Sequence, residues 1–140
     1  MPPCHRSPRP WLHIAREVAG EARRRQFNRV AVLGTRYLME GPVYAAALKA
    51  AGIDHRIPGP EQRQRVHQII FDELVNGQFL PNSLAEYMEV IRSLQAQGCD
   101  AVALACTEIP LLVTAETSPL PTLDSTRILA RAALCKAVQA

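Results

Sequence analysis

Aromatic side chains are scarce in this chain: one Trp, three Tyr and three Phe among 140 residues. Proteins that hold single-stranded nucleic acid stack bases on such rings within a basic groove. The basic amino-terminal stretch here carries Arg6, Arg9, Arg16, Arg23, Arg24, Arg25 and Arg29 against Glu17 and Glu21, with no aromatic interleaved across residues 16–25. It reads as a solvated helix face, and no nucleic-acid partner is expected. Long apolar runs are also missing. Nothing approaches the ~20 residues of a membrane span, and the Pro- and Arg-rich first ten residues lack the apolar stretch of a signal peptide, so no membrane partner is expected. The four cysteines, Cys4, Cys99, Cys106 and Cys135, form no CxxC pair and no zinc-type spacing with histidine. No metal is therefore expected, and free thiols in a reducing cytoplasm are the simplest reading.

The length and a 48% apolar composition suit one core. Residues 1–10 contain four prolines and read as a loose lead-in, on which the adjacent Cys4 and His5 are expected to do nothing. Residues 11–26 have a helical stripe of Ile14, Val18 and Ala22 with Ala15 and Ala19 beside it. Residues 29–34 form a compact strand ending in Gly34-Thr35, where Thr35 reads first as a helix cap or turn residue. Pro42 opens a helix stopped by Gly52, and a short strand over 53–57 ends at Pro58-Gly59-Pro60. A helix over 61–76 aligns Val66, Ile70 and Leu74, with His67 on its surface. Ser83-x-x-Glu86 reads as a capping box opening a helix over 83–97 that carries Leu84, Tyr87, Met88, Ile91 and Leu94. After a strand over 100–105 and a turn over 109–112, Thr122-Leu123 form a last strand and Asp124 caps a helix over 125–138. Strands alternating with helices, with the central strands apolar throughout, predict an α/β fold: a parallel sheet of about four strands with helices on both faces. Right-handed crossovers then put Gly34-Thr35 and Cys106-Thr107 on one rim, where such sheets bind ligands.

Cys106 is the residue around which this organisation turns. The apolar run over 100–105 delivers it to the start of a helical turn, where backbone N–H groups and the helix dipole are expected to favour the thiolate. A thiolate there can be a nucleophile, a redox centre or a base. Cys99 sits at the opposite end of the strand, which weakens the redox option. His13, His55 and His67 cannot be tied to Cys106 by spacing, so nucleophilic catalysis lacks its partner. Residue pattern alone leaves an α/β domain with an active-looking thiol.

Five strings in order, PWLHIAREVA, RVAVLGTRYLMEGPVY, IIFDELVNGQF, GCDAVALACTEIPLL and LDST, resemble the aspartate/glutamate racemase family over nearly everything from Pro10 onward. The resemblance implies one lobe, residues 11–140, of a two-lobe fold, with the terminal helices packing against a first lobe. It further implies a cofactor-independent racemase acting on a small acidic amino acid, in which one thiolate removes the α-proton and a second thiol returns a proton to the opposite face. Cys106 matches the catalytic cysteine of the second lobe. Thr107 and Thr35 match threonines that hold the substrate carboxylate. Three positions depart from the family pattern. Ala105 replaces a glycine and Leu38 a threonine, while Cys4 does not fit the motif of the first-lobe cysteine. The chain alone is accordingly expected to be impaired, with an exposed apolar face open to self-association. Alternatives are a noncatalytic binding or assembly module, or a hydantoin racemase or maleate isomerase of the same fold.

Overall fold

The structure, a computed structural model, describes residues 13–139. The lead-in and its Cys4-His5 pair lie outside the described residues. The order of elements is α1 (Ile14–Arg24), β1 (Arg29–Leu33), α2 (Arg36–Glu40), α3 (Pro42–Ala50), β2 (Asp54–Arg56), α4 (Pro60–Asp72), a 3-10 turn (Leu74–Asn76), α5 (Pro81–Ala96), β3 (Ala101–Leu104), α6 (Ile109–Leu112), β4 (Thr122–Asp124) and α7 (Ser125–Gln139). The four strands pair in parallel in the order β2-β1-β3-β4, with Leu33 opposite Leu104 and Leu104 opposite Asp124. This is the α/β sheet expected from the alternation of elements.

Strand parity divides the core in two. Ala31, Leu33, Val102 and Leu104 face α4, α5 and α6, where Val66, Ile70, Tyr87 and Ile91 complete one cluster. Val30, Val32, Ala101 and Ala103 face the other way, against Ala15, Val18, Ala19 and Ala22 of α1 and Tyr44 and Leu48 of α3. Both central strands are thus covered on both faces, which is why they read as continuous apolar runs and not as alternating ones. The alanine stripe of α1 is buried in this packing, so the helix backbone can approach the sheet closely.

At the amino-terminal edge of the sheet a polar knot fixes the entry into β1 and β3. Asp100 accepts from the backbone N–H groups of Asn28 at 2.8 Å and Arg29 at 3.1 Å. Arg29 in turn donates to Asp54 at 2.8 Å and to the Gln97 carbonyl at 2.6 Å. Gly98 has φ +97°, a conformation that favours glycine, and a Cβ there would lie 2.5 Å from Nη1 of Arg29 and displace that guanidinium from the Gln97 carbonyl.

Several local readings change. Residues 36–40 form a separate short helix that the sequence pattern did not announce. The capping box does not form: α5 starts at Pro81, whose fixed φ suits the first turn, and this places Ser83 inside the helix. Ser83 instead donates to the Glu73 carboxylate, and Glu86 pairs with Arg65 at 2.8 Å. Asp124 does cap α7, accepting from the N–H of Arg127 at 3.1 Å. Cys99 and Cys106 are free thiols as expected, but Cys135 on α7 is disulfide-bonded. Among the described residues, no helix is long and apolar enough to cross a membrane.

Candidate active site

The parity that buries Val102 and Leu104 against α4 and α5 carries on past the end of β3 and sets Cys106 in the same cluster. Its side chain therefore turns inward, and only 7% of the residue is exposed. The chain then breaks into the four-residue α6, with Pro110 in its first turn. That break leaves Thr107 exposed and Glu108 half-buried, folded back over the sulfur. Sγ of Cys106 donates to Oε2 of Glu108 at 3.0 Å, and the Thr107 hydroxyl donates to the same oxygen at 2.8 Å.

This arrangement reverses the expected charge state of the thiol. Burial, followed by the adjacent Glu108 carboxylate, pushes the Cys106 thiol up from its ordinary value of 9.0 to about 11. The backbone N–H groups of Glu108 and Ile109 pull the other way, as the turn geometry predicts, but they are outweighed. A desolvated sulfur beside a carboxylate keeps its proton, because ionising it would place two negative charges in contact. The complementary effect holds the Glu108 carboxyl below its usual range, chiefly through the hydrogen bond from Cys106 and then that from Thr107. At neutral pH the pair is one thiol and one carboxylate.

Thr35 lies on the same rim. It follows Leu33 by two residues just as Cys106 follows Leu104, and those two leucines are paired across β1 and β3. Its hydroxyl, however, caps α2 by accepting from the N–H of Leu38 at 3.3 Å. The cap reading made from the residues is therefore correct for its hydrogen bonding. Between the two strand ends, Gly34 and Ala105 are in close apposition. A Cβ on Gly34 would meet the Ala105 Cβ at 3.3 Å and Leu38 Cδ1 at 3.2 Å. The extra methyl of Ala105 thus fills the space that Gly34 leaves open.

Two residues near the rim were not singled out as functional in the sequence. Glu108 is one; its signal was the Cys-x-Glu spacing at a strand-to-helix break. His67 is the other. It is half-buried, its Nδ1 accepts from the N–H of Arg36 at 2.9 Å, and its ring lies between Tyr37 and Phe71. It braces the segment after Thr35 and makes no bond to Cys106. Among the described residues, no group of three or more His, Cys, Asp or Glu side chains is placed to hold a metal ion.

The family model for Asp/Glu/hydantoin racemases matches residues 5–133. A Yersinia pestis protein described as an Asp/Glu racemase superposes with a TM-score of 0.86 at 38% identity, over 91% of this chain and 56% of that one. An aspartate racemase homologue from Pyrococcus horikoshii OT3 gives 0.83 at 26% identity over the same shares. The aspartate racemase of Picrophilus torridus gives 0.73 at 25% identity, over 91% of this chain and 52% of that one. The chain therefore spans little more than half the length of these relatives. It belongs to the Asp/Glu/hydantoin racemase family.

Proposed function

We propose that the Cys106 rim is one half-site of a cofactor-independent amino-acid racemase acting on a small acidic amino acid. The observation that carries the reading is the buried, free thiol of Cys106 at the carboxyl end of β3, held to Glu108 in a chain of racemase kinship. Inverting a stereocentre needs a base on one face of the planar carbanion and an acid on the other. With its proton retained at neutral pH, Cys106 is matched to the acid step. Its S–H bond breaks, a C–H bond forms at the α-carbon, and the sulfur is left as thiolate. In the reverse direction that thiolate takes the proton back. Cys99 cannot serve the opposite face, because it precedes β3 at the other end of the sheet, so the second group is a separate one.

Thr107 and Thr35 are the groups we assign to the substrate carboxylate. Both hydroxyls are engaged within the chain, Thr107 with Glu108 and Thr35 with Leu38. Binding therefore exchanges an internal partner for a substrate oxygen. A test uses the chain with each enantiomer of aspartate and glutamate in D2O, reading α-deuterium by NMR and configuration by chiral chromatography. Slow deuterium uptake is expected from one of these substrates, because Cys106 can remove and return the α-proton on its own face without the second group. Cys106→Ser should lower it by roughly 10²-fold or more, the usual contribution of a general acid–base group. No uptake by the unaltered chain, or an unchanged rate in Cys106→Ser, counts against the proposal. Uptake confined to a hydantoin would move the substrate class.

A further inference from the structure

The contact between Cys106 and Glu108 has no place in a scheme where the thiol works alone. Glu108 is tied to the sulfur at 3.0 Å and to Thr107 at 2.8 Å through one oxygen, Oε2. Cys106 is buried while Glu108 reaches the surface, so the hydrogen bond to this carboxylate links the sulfur to a group in contact with bulk water. The surroundings offer few competitors. From α5, the Tyr87 phenol lies close enough to feel the charge on Cys106, but it is committed to the Val66 carbonyl at 3.1 Å. Glu73, Arg65 and Glu86 act on Tyr87 and on one another.

We infer that Glu108 is a positioning residue for this half-site: its carboxylate keeps the Cys106 proton on sulfur and passes replacement protons to it from solvent. The inference rests on the reading of Cys106 as the acid–base thiol given above. In the resting pair, S–H points at Oε2, and the pair carries one negative charge. After Cys106 has given its proton to the carbanion, two negative charges stand in contact, which raises the proton affinity of both groups. Solvent then supplies a proton to Glu108 while the separate base on the opposite face releases to solvent the one it took from carbon. The Glu108 O–H donates to the thiolate, and transfer of that proton restores S–H beside a carboxylate. One proton enters from solvent for each one given to carbon. The thiol is thereby reloaded without opening its apolar surroundings.

The test follows alkylation of Cys106 by iodoacetamide across the alkaline range, with the Cys106 peptide resolved by mass spectrometry, in the full chain and in Glu108→Gln. The thiolate is the reactive form, so the curve reports the thiol's midpoint directly. Neutralising Glu108 removes the like charge. We expect the midpoint to fall, with Cys106 alkylated on the order of tenfold faster at pH 8, and Glu108→Asp, which keeps the charge, to lie nearer the unaltered chain. A midpoint in Glu108→Gln equal to or above that of the unaltered chain overturns the inference; a role confined to shaping the turn would leave the midpoint in place. Failure of the racemase reading shows elsewhere, in α-deuterium uptake that ignores Cys106→Ser, whatever the alkylation curves do.

Discussion

Strand β3 has a cysteine at each end, and the two are alike in residue type, burial and oxidation state. Their surroundings differ in kind. Cys99 lies beside the polar knot of Asp100, Asp54, Arg29 and Arg56, in which two carboxylates balance two guanidinium groups and the backbone N–H groups of Asn28 and Arg29 are satisfied. Burial raises its thiol, Arg29 and Arg56 partly offset this, and among the described residues no carboxylate is hydrogen-bonded to it. Cys106 stands beside a carboxylate that is bonded to its sulfur, and burial and that carboxylate dominate its surroundings. The knot holds the chain together at one end of the sheet, and the other end keeps a protonated thiol hydrogen-bonded to a carboxylate. Position along a strand, and not the cysteine itself, sets the surroundings of the two thiols apart.

The comparison breaks most visibly in rate. Cys99→Ser should leave α-deuterium uptake within about twofold, whereas Cys106→Ser should lose roughly 10²-fold or more; similar losses at both ends would abolish the distinction. In stability the roles exchange. Asp100→Ala leaves two backbone donors of the knot without their partner and should cost about 2–3 kcal/mol in a urea titration, while the same titration of Glu108→Gln should move by less than about 0.5 kcal/mol. Gly98→Ala meets Arg29 and forces a left-handed backbone, with an expected loss of about 1–2 kcal/mol and no direct effect on the Cys106 rim.

The pH dependence sharpens the contrast further. The Cys106 thiol has a folded value raised to about 11 from 9.0, so the unfolded chain releases its proton first. Its contribution is fully present below pH 9 and is lost as pH rises toward 11, by an amount on the order of 1 kcal/mol once solvent screening is allowed for. Cys106→Ser should flatten that part of the stability profile. The smallest effect concerns activity. If Cys106 must be protonated to act, the basic limb of uptake should shift to lower pH in Glu108→Gln, and an unshifted limb would separate Glu108 from the acid step.

Much of this was legible in the sequence, for identifiable reasons. Strands β1 and β3 are covered on both faces, so residues 29–34 and 100–105 announce themselves as unbroken apolar runs. Gly98 acts through its own backbone and Asp124 through a carboxylate that reaches an N–H only three residues on, and the placement of Cys106 follows from the strand that precedes it. The family resemblance was readable because five motifs keep their order. The charge state of Cys106 was not readable. It depends on burial in the cluster that α4 and α5 form against the sheet, and on a Glu108 rotamer that only the folded turn defines. The Ser83-x-x-Glu86 pattern misled because Pro81 starts the helix earlier and frees both side chains for other partners. Thr35 fits a local cap and a rim position at once, and only its bond to the Leu38 N–H tells which role its hydroxyl holds before any substrate is present.

The most direct test of the asymmetry asks which thiol a substrate covers. Iodoacetamide alkylation of Cys99 and Cys106, resolved by peptide, would be followed with and without saturating aspartate at a pH where both react. The account predicts that aspartate slows Cys106 severalfold and leaves Cys99 unchanged. Equal protection of both, or protection of Cys99 alone, would contradict it.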